Sequence, residues 1–214
     1  MSVALNGTSL SKIKANSLNL AGTFGFSGTV SGLADETPLV LLSTFTSDGS
    51  DATASFTSGI DSTYKEYLFV FNNIHPQTDE KNLQVGFRDG GSDYDATKTT
   101  TSFRVYHDEG DSQTAVAYVA SQDLAQGTGF QPIIIDMGTD NDQSGCFRLH
   151  LFDPSSTTFV KNFTSTMQNY HNADLSNQLY VAGYCNVTAA IDGVQFKMSS
   201  GNIDAGTIKM YGIK

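Results

Sequence analysis

Four histidines, two cysteines and two aspartate-rich loops are the residues whose types invite chemistry in this chain of 214 residues. His75, His107, His150 and His171 are scattered, without the His-x-x-x-His or His-x-His spacing that sets two imidazoles on one zinc ion. They read as surface or strand histidines. The loops Asp89-Gly-Gly-Ser-Asp-Tyr-Asp95 and Asp136-Met-Gly-Thr-Asp-Asn-Asp142 gather carboxylate and carbonyl oxygens of the kind calcium takes, about six to eight at a time. Neither matches the spacing of a known calcium loop, and Asp and Asn are also ordinary turn formers. The turn reading is preferred, and no metal is expected. Cys146 alternates with Phe147, on the face of Arg148 and His150, whereas Cys185 shares a face with Leu179 and Val181. The two thiols are expected to point different ways and to stay unbridged.

Catalytic signatures are missing from the sequence. It contains no Gly-x-Ser-x-Gly elbow, no phosphate-binding glycine loop and no Cys–His pattern. A carboxylate pair for glycoside cleavage would meet only in the fold, and Asp108 and Glu109 read as a solvated charge run. Tyr94, Tyr106, Tyr170 and Tyr184 offer rings on which a sugar can stack, but with no tryptophan they read first as core or subunit-interface residues. No catalytic residue and no cofactor are expected, and the protein is read as non-enzymatic.

The elements that must position these residues are strands. Twenty glycines, 16% charged residues and repeated period-2 alternation mark an all-β chain with many turns. Strands are expected at Leu39–Phe45, Ala52–Phe56, Tyr64–Asn72, Leu83–Arg88, Phe103–His107, Ala115–Ala120, Ile133–Met137, Cys146–Phe152, Thr158–Met167 and Gln178–Val187. Tyr64–Asn72 is apolar on both parities, which suggests a central strand covered on two sides. The last residues read as a hairpin: Val194, Phe196 and Met198 form the buried face of one strand, Ile208 and Met210 that of the next, with turn residues Ser199–Gly206 between. About ten to twelve short strands at regular spacing predict an antiparallel β-sandwich of jelly-roll type over residues 37–214.

Residues 1–36 read differently. Leu5, Leu10, Ile13, Leu18, Leu20, Phe24 and Phe26 are spread singly among small polar residues, too dispersed to make a core of their own. They are expected to form an extended N-terminal arm that becomes ordered against a neighbouring subunit or another protein. The first 34 residues hold Lys12 and Lys14 and no acid, a net +2 against −12 for the rest. The whole-chain charge of −10 argues against nucleic acid and against anionic lipid as partners. No apolar run is long enough for a membrane span, and no secretory leader is expected at Met1.

Two segments carry a resemblance. The ending Ser199-Ser-Gly-Asn-Ile-Asp-Ala-Gly-Thr-Ile-Lys-Met-Tyr-Gly-Ile-Lys214 is similar to the C-terminus of small jelly-roll virion structural proteins of marine tailed bacteriophages. There the form is Ser-Gly-Asn-hydrophobic, one or two small residues, then Gly-Thr-Ile-Lys-Leu-Tyr-Gly-hydrophobic. Tyr64-Lys-Glu-Tyr-Leu-Phe-Val-Phe-Asn-Asn-Ile-His-Pro-Gln-Thr-Asp79 resembles a second segment of that group, and Asp89-Gly-Gly-Ser-Asp-Tyr and Lys98-Thr-Thr-Thr-Ser-Phe follow in the same order. The resemblance spans Tyr64 to the end. It implies a virion location after assembly in the host cytoplasm, and a homo-oligomer, trimeric by the habit of such proteins, joined to another virion protein. A capsid decoration or short fibre-like component is expected rather than a full tail fibre, because the chain leaves no room for a shaft. A receptor-binding lectin domain for host-surface glycan is the alternative, and a polysaccharide depolymerase a third reading.

Overall fold

The computed structural model describes residues 38–214, so the arm residues Leu5, Leu10, Lys12, Ile13, Lys14, Leu18, Leu20, Phe24 and Phe26 lie outside the described residues. Within that span the chain forms twelve strands: β1 (Leu39–Thr46), β2 (Ala54–Phe56), β3 (Glu66–Pro76), β4 (Lys81–Arg88), β5 (Lys98–Asp108), β6 (Thr114–Tyr118), β7 (Gln131–Met137), β8 (Gly145–Phe152), β9 (Lys161–His171), β10 (Leu175–Cys185), β11 (Gly193–Met198) and β12 (Ile203–Ile213). One 3₁₀ turn, Ala120–Gln122, follows β6. All pairings between strands are antiparallel.

The strand order is that of a jelly roll. One sheet runs β1-β12-β3-β8 and the other β2-β11-β4-β7. Two hairpins are inserted into this frame: β5–β6 between β4 and β7, and β9–β10 between β8 and β11. They zip to each other, since β10 pairs with both β9 and β5, and lengthen the first sheet to β1-β12-β3-β8-β9-β10-β5-β6. A single bridge, Met137 to His171, links the two sheets.

Alternation decides which side chains go inside. Tyr67, Phe69 and Phe71 of β3, Leu83, Val85 and Phe87 of β4, and Phe147, Leu149 and Leu151 of β8 are all buried. Rings from the two sheets meet edge to face: Phe69 against Phe56 at 5.3 Å between centroids, and Phe196 against Phe71 at 4.8 Å. Phe87 reaches Phe163 of β9 at 4.8 Å.

Two expectations are corrected. The last two strands are not a hairpin: β11 pairs with β4 and β2, whereas β12 pairs with β3 and β1. Each has one apolar face that needs cover, and placing them in opposite sheets lets those faces meet across the core. The turn residues between them carry a crossover, tied to the start of β4 by Ser199 N–H to Asn82 O and to the β3–β4 connection by Gln77 N–H to Asn202 O. The second correction concerns β3, whose outer face is only half covered. Leu68 and Val70 there floor an open depression with Cys146 and Arg148 of β8.

Strand limits also move. β5 begins at Lys98, ahead of the expected Phe103, and β9 runs to His171, beyond the expected Met167. In both cases the extra residues turn polar side chains inward, where apolar alternation gives no signal.

Candidate functional site

The residues singled out for the terminal hairpin all reach the core: Val194, Phe196, Met198, Ile208 and Met210 are buried. The chemistry-bearing residues stay dispersed. Each histidine sits beside a different carboxylate: His75 Nδ1 lies 3.2 Å from Asp204, His107 Nε2 3.0 Å from Asp111, His171 Nε2 3.5 Å from Asp136, and His150 Nδ1 pairs with Glu66. Among the described residues no three His, Cys, Asp or Glu side chains gather as a metal site would require. Cys146 is exposed and Cys185 buried, both as free thiols, as their strand faces predict.

Beneath the inserted hairpins lies an arrangement the sequence reading missed. Lys98 of β5, Cys185 of β10 and Lys161 of β9 stand in one cross-strand row, all three fully buried. Lys98 Nζ donates to Gly129 O at 2.8 Å, and Lys161 Nζ donates to Val187 O at 2.6 Å. Neither amine has a carboxylate within ion-pair distance among the described residues. Burial lowers both lysine pKa values below the usual range, and it pushes the Cys185 thiol up to about 12. Such a thiol is protonated and inert, so the row reads as structural. It pins the loops after β6 and β10 to the sheet.

The other conspicuous place is the outer face of the same extension. Phe103 and Val105 of β5 stand opposite Tyr118 and Val116 of β6, and all four are exposed. Phe103 stacks on Tyr180 of β10 at 4.7 Å, and the Tyr118 hydroxyl donates to Asp123. At one end of this patch the acidic turn Asp108–Asp111 is held by its own hydrogen bonds. Asp108 Oδ1 accepts from Ser112 N–H and Gln113 N–H, and Ser112 Oγ, as the first cause, keeps that carboxyl below its usual range.

Beside the turn is a shallow depression of about 370 Å³ lined by His107, Asp108, Glu109, Gln168, Tyr170, Leu175 and Ser176. Burial and the neighbouring Asp174 push the Tyr170 hydroxyl up to about 12, so it is a hydrogen-bond donor throughout the physiological range. Tyr94, Tyr106, Tyr170 and Tyr184 are all half-buried rather than core residues. Tyr106 lies under the Arg104 guanidinium at 4.6 Å and Tyr94 near that of Arg88.

The strand at Thr114–Tyr118 is legible in the sequence, but its exposure on both faces is not. The available signal is that Thr114-Ala-Val-Ala-Tyr118 carries no charge at any position. A family model matching the chain was not found, and no curated protein matches it.

Proposed function

We propose that this chain is a non-enzymatic structural protein of a tailed-phage virion, a decoration or short fibre-like component that docks through residues 1–36 and assembles with copies of itself. The observation that carries the reading is where its exposed large hydrophobics lie. Among the described residues, Leu39, Leu41, Val116 and Tyr118 stand on the edge strands β1 and β6 and Phe103 and Val105 on the adjoining β5, with Phe159 and Val160 the others, and none of them lines a concave site. Apolar residues left on margins suit a subunit that is completed by neighbours. The resemblance over Tyr64 to Lys214 supplies the virion location, and the net +2 of the first 34 residues against the acidic body suits docking of the arm on acidic surfaces.

Deleting residues 1–34 tests the reading. The truncated chain should still unfold cooperatively, because every described strand is retained, but it should not bind particles that lack the native protein. Normal occupancy by the truncated form would make the arm dispensable. Immunogold labelling of intact particles tests the location itself, and bare particles would end the virion reading.

A second reading, a carbohydrate-binding domain, is favoured by the depression beside Tyr170. There a tyrosine ring, Gln168 and the carboxylates of Asp108 and Glu109 share one open wall. A glycan array separates the two, since a purely structural subunit would retain no sugar.

A further inference from the structure

The extended sheet ends in two strands that are each paired on one side only among the described residues. β1 pairs with β12, and β6 pairs with β5. Sheet edges expose a row of free N–H and C=O groups, and stable monomers blunt them with lysine, proline or inward charges. Neither strand here has a lysine, a proline or an inward charge, although β1 carries a bulge between Leu41 and Ser43 and β6 is short. Leu39-Val-Leu-Leu-Ser-Thr-Phe-Thr46 and Thr114-Ala-Val-Ala-Tyr118 contain no charged residue and no proline.

Both margins also carry large exposed hydrophobics. Leu41 is 52% exposed on β1, and Val116 and Tyr118 are 75% and 58% exposed on β6. Beyond these two margins, the exposed large hydrophobics of the described residues are Phe159 and Val160.

We propose that copies of this chain join head to tail, β6 of one against β1 of the next, so that the sheet continues from subunit to subunit. The inference rests on the homo-oligomeric part of the proposed function and adds the surfaces that make the joint. An edge of free amides and carbonyls accepts a β-strand, and an apolar rim asks that the strand bring apolar, uncharged neighbours. The chain carries such a strand itself, at the opposite end of the same sheet. Charge supports the choice: copies at −10 repel one another, and a joint between two uncharged strands places no like charges face to face. Leu39 and Leu41 lie in the first half of β1, ahead of its bulge, so the apolar part of that edge is short and suits addition of a strand as short as β6. Because two different edges meet, the interface is heterologous. It closes into a ring when the rotation allows and grows into an open filament when it does not.

The test uses the full chain with Val116→Lys in one variant and Leu41→Lys in another. Both positions are exposed, so each variant should keep the parent's circular dichroism spectrum and unfold cooperatively, lacking only the stability that assembly adds; Val116→Thr and Leu41→Thr repeat the test with uncharged strand formers. By mass photometry and sedimentation the parent should be oligomeric, and more so at higher salt. Each lysine variant alone should be monomeric at concentrations where the parent is assembled.

Mixed one to one, the variants should form a dimer and stop there, because Val116→Lys keeps an intact β1 edge and Leu41→Lys an intact β6 edge. Oligomers of parental size from either variant would overturn the joint while leaving the virion reading standing. Dimers from Leu41→Lys alone would put a two-fold β6–β6 contact in its place. A mixture that stays monomeric also overturns it, and a monomeric parent overturns both the joint and the homo-oligomeric reading.

Discussion

Between β3 and β11 the interior is ring against ring, with Phe196 lying 5.4 Å from Phe69, 4.8 Å from Phe71 and 6.1 Å from Phe56. Beneath β5, β10 and β9 it is built of other material. After the row Lys98–Cys185–Lys161 come Thr100–Gly183–Phe163 and Ser102–Val181–Ser165, and farther along Asn177 Nδ2 donates to Asn169 Oδ1 at 2.9 Å. Thr100 Oγ1 donates to Gln131 Oε1 at 2.6 Å, and Gln131 Nε2 donates to Gln122 O at 2.7 Å. The first interior is held by removing carbon from water, which has no direction. The second is held by bonds that must be aimed. Ser102 Oγ, Ser165 Oγ and Asn177 Oδ1 have no protein partner there. A sandwich tolerates a polar interior where inserted strands leave the main core, provided amines and amides find backbone carbonyls.

The comparison breaks most readily at Phe196. Phe196→Ala should cost about 3–5 kcal/mol and Ile208→Ala about 2–5 kcal/mol, the usual range for emptying a packed site. Urea denaturation measures both, and a midpoint unchanged from the parent would show that this interior is not packed as described.

Lys161→Met should move stability by about 1 kcal/mol or less in either direction. The methionine gives up one hydrogen bond to Val187 O but no longer buries an amine, and such replacements are often neutral. A loss as large as that of Phe196→Ala would mean that the aimed bonds carry the fold as strongly as the rings do.

The smallest effect is chemical. Iodoacetamide at about pH 9, near the ordinary thiol range, should label Cys146 and spare Cys185 in the folded chain. The folded-state pKa of Cys185 is raised, so its share of stability is whole below the ordinary thiol value of 9.0 and falls away as pH climbs through about 12. Measured against Cys185→Ala, the parent should therefore lose ground only above pH 9.0. A double label at equilibrium, or a difference that is flat with pH, would place Cys185 in a wetter setting.

Apolar alternation made the jelly-roll frame legible, and it did so strand by strand. Tyr67, Phe69 and Phe71, or Phe147, Leu149 and Leu151, declare an inner face without help. Lys98, Thr100 and Ser102 alternate as regularly, yet a strand with lysine, threonine and serine inside looks like a strand turned outward. Which strand pairs with which was hidden for another reason. Val194–Met198 and Thr207–Ile213 have the pattern of a hairpin, and nothing local distinguishes two neighbours in one sheet from two facing strands in opposite sheets. The margins at β1 and β6 were visible as strands, but only the pairing reveals that each is bonded on one side alone among the described residues.

The seam between β5 and β10 also sets an order in time. The hairpins β5–β6 and β9–β10 close over short turns, and such hairpins form within about 1–10 μs. The seam from Asp108–Leu175 to Lys98–Cys185 joins segments far apart in the chain, so it must wait until the frame strands between them have found their places. The extension is thus zipped after its halves exist. In pulse-labelled refolding, β5 amides bonded to β6 should gain protection before those bonded to β10, and simultaneous protection along both edges would mean that the halves do not form alone.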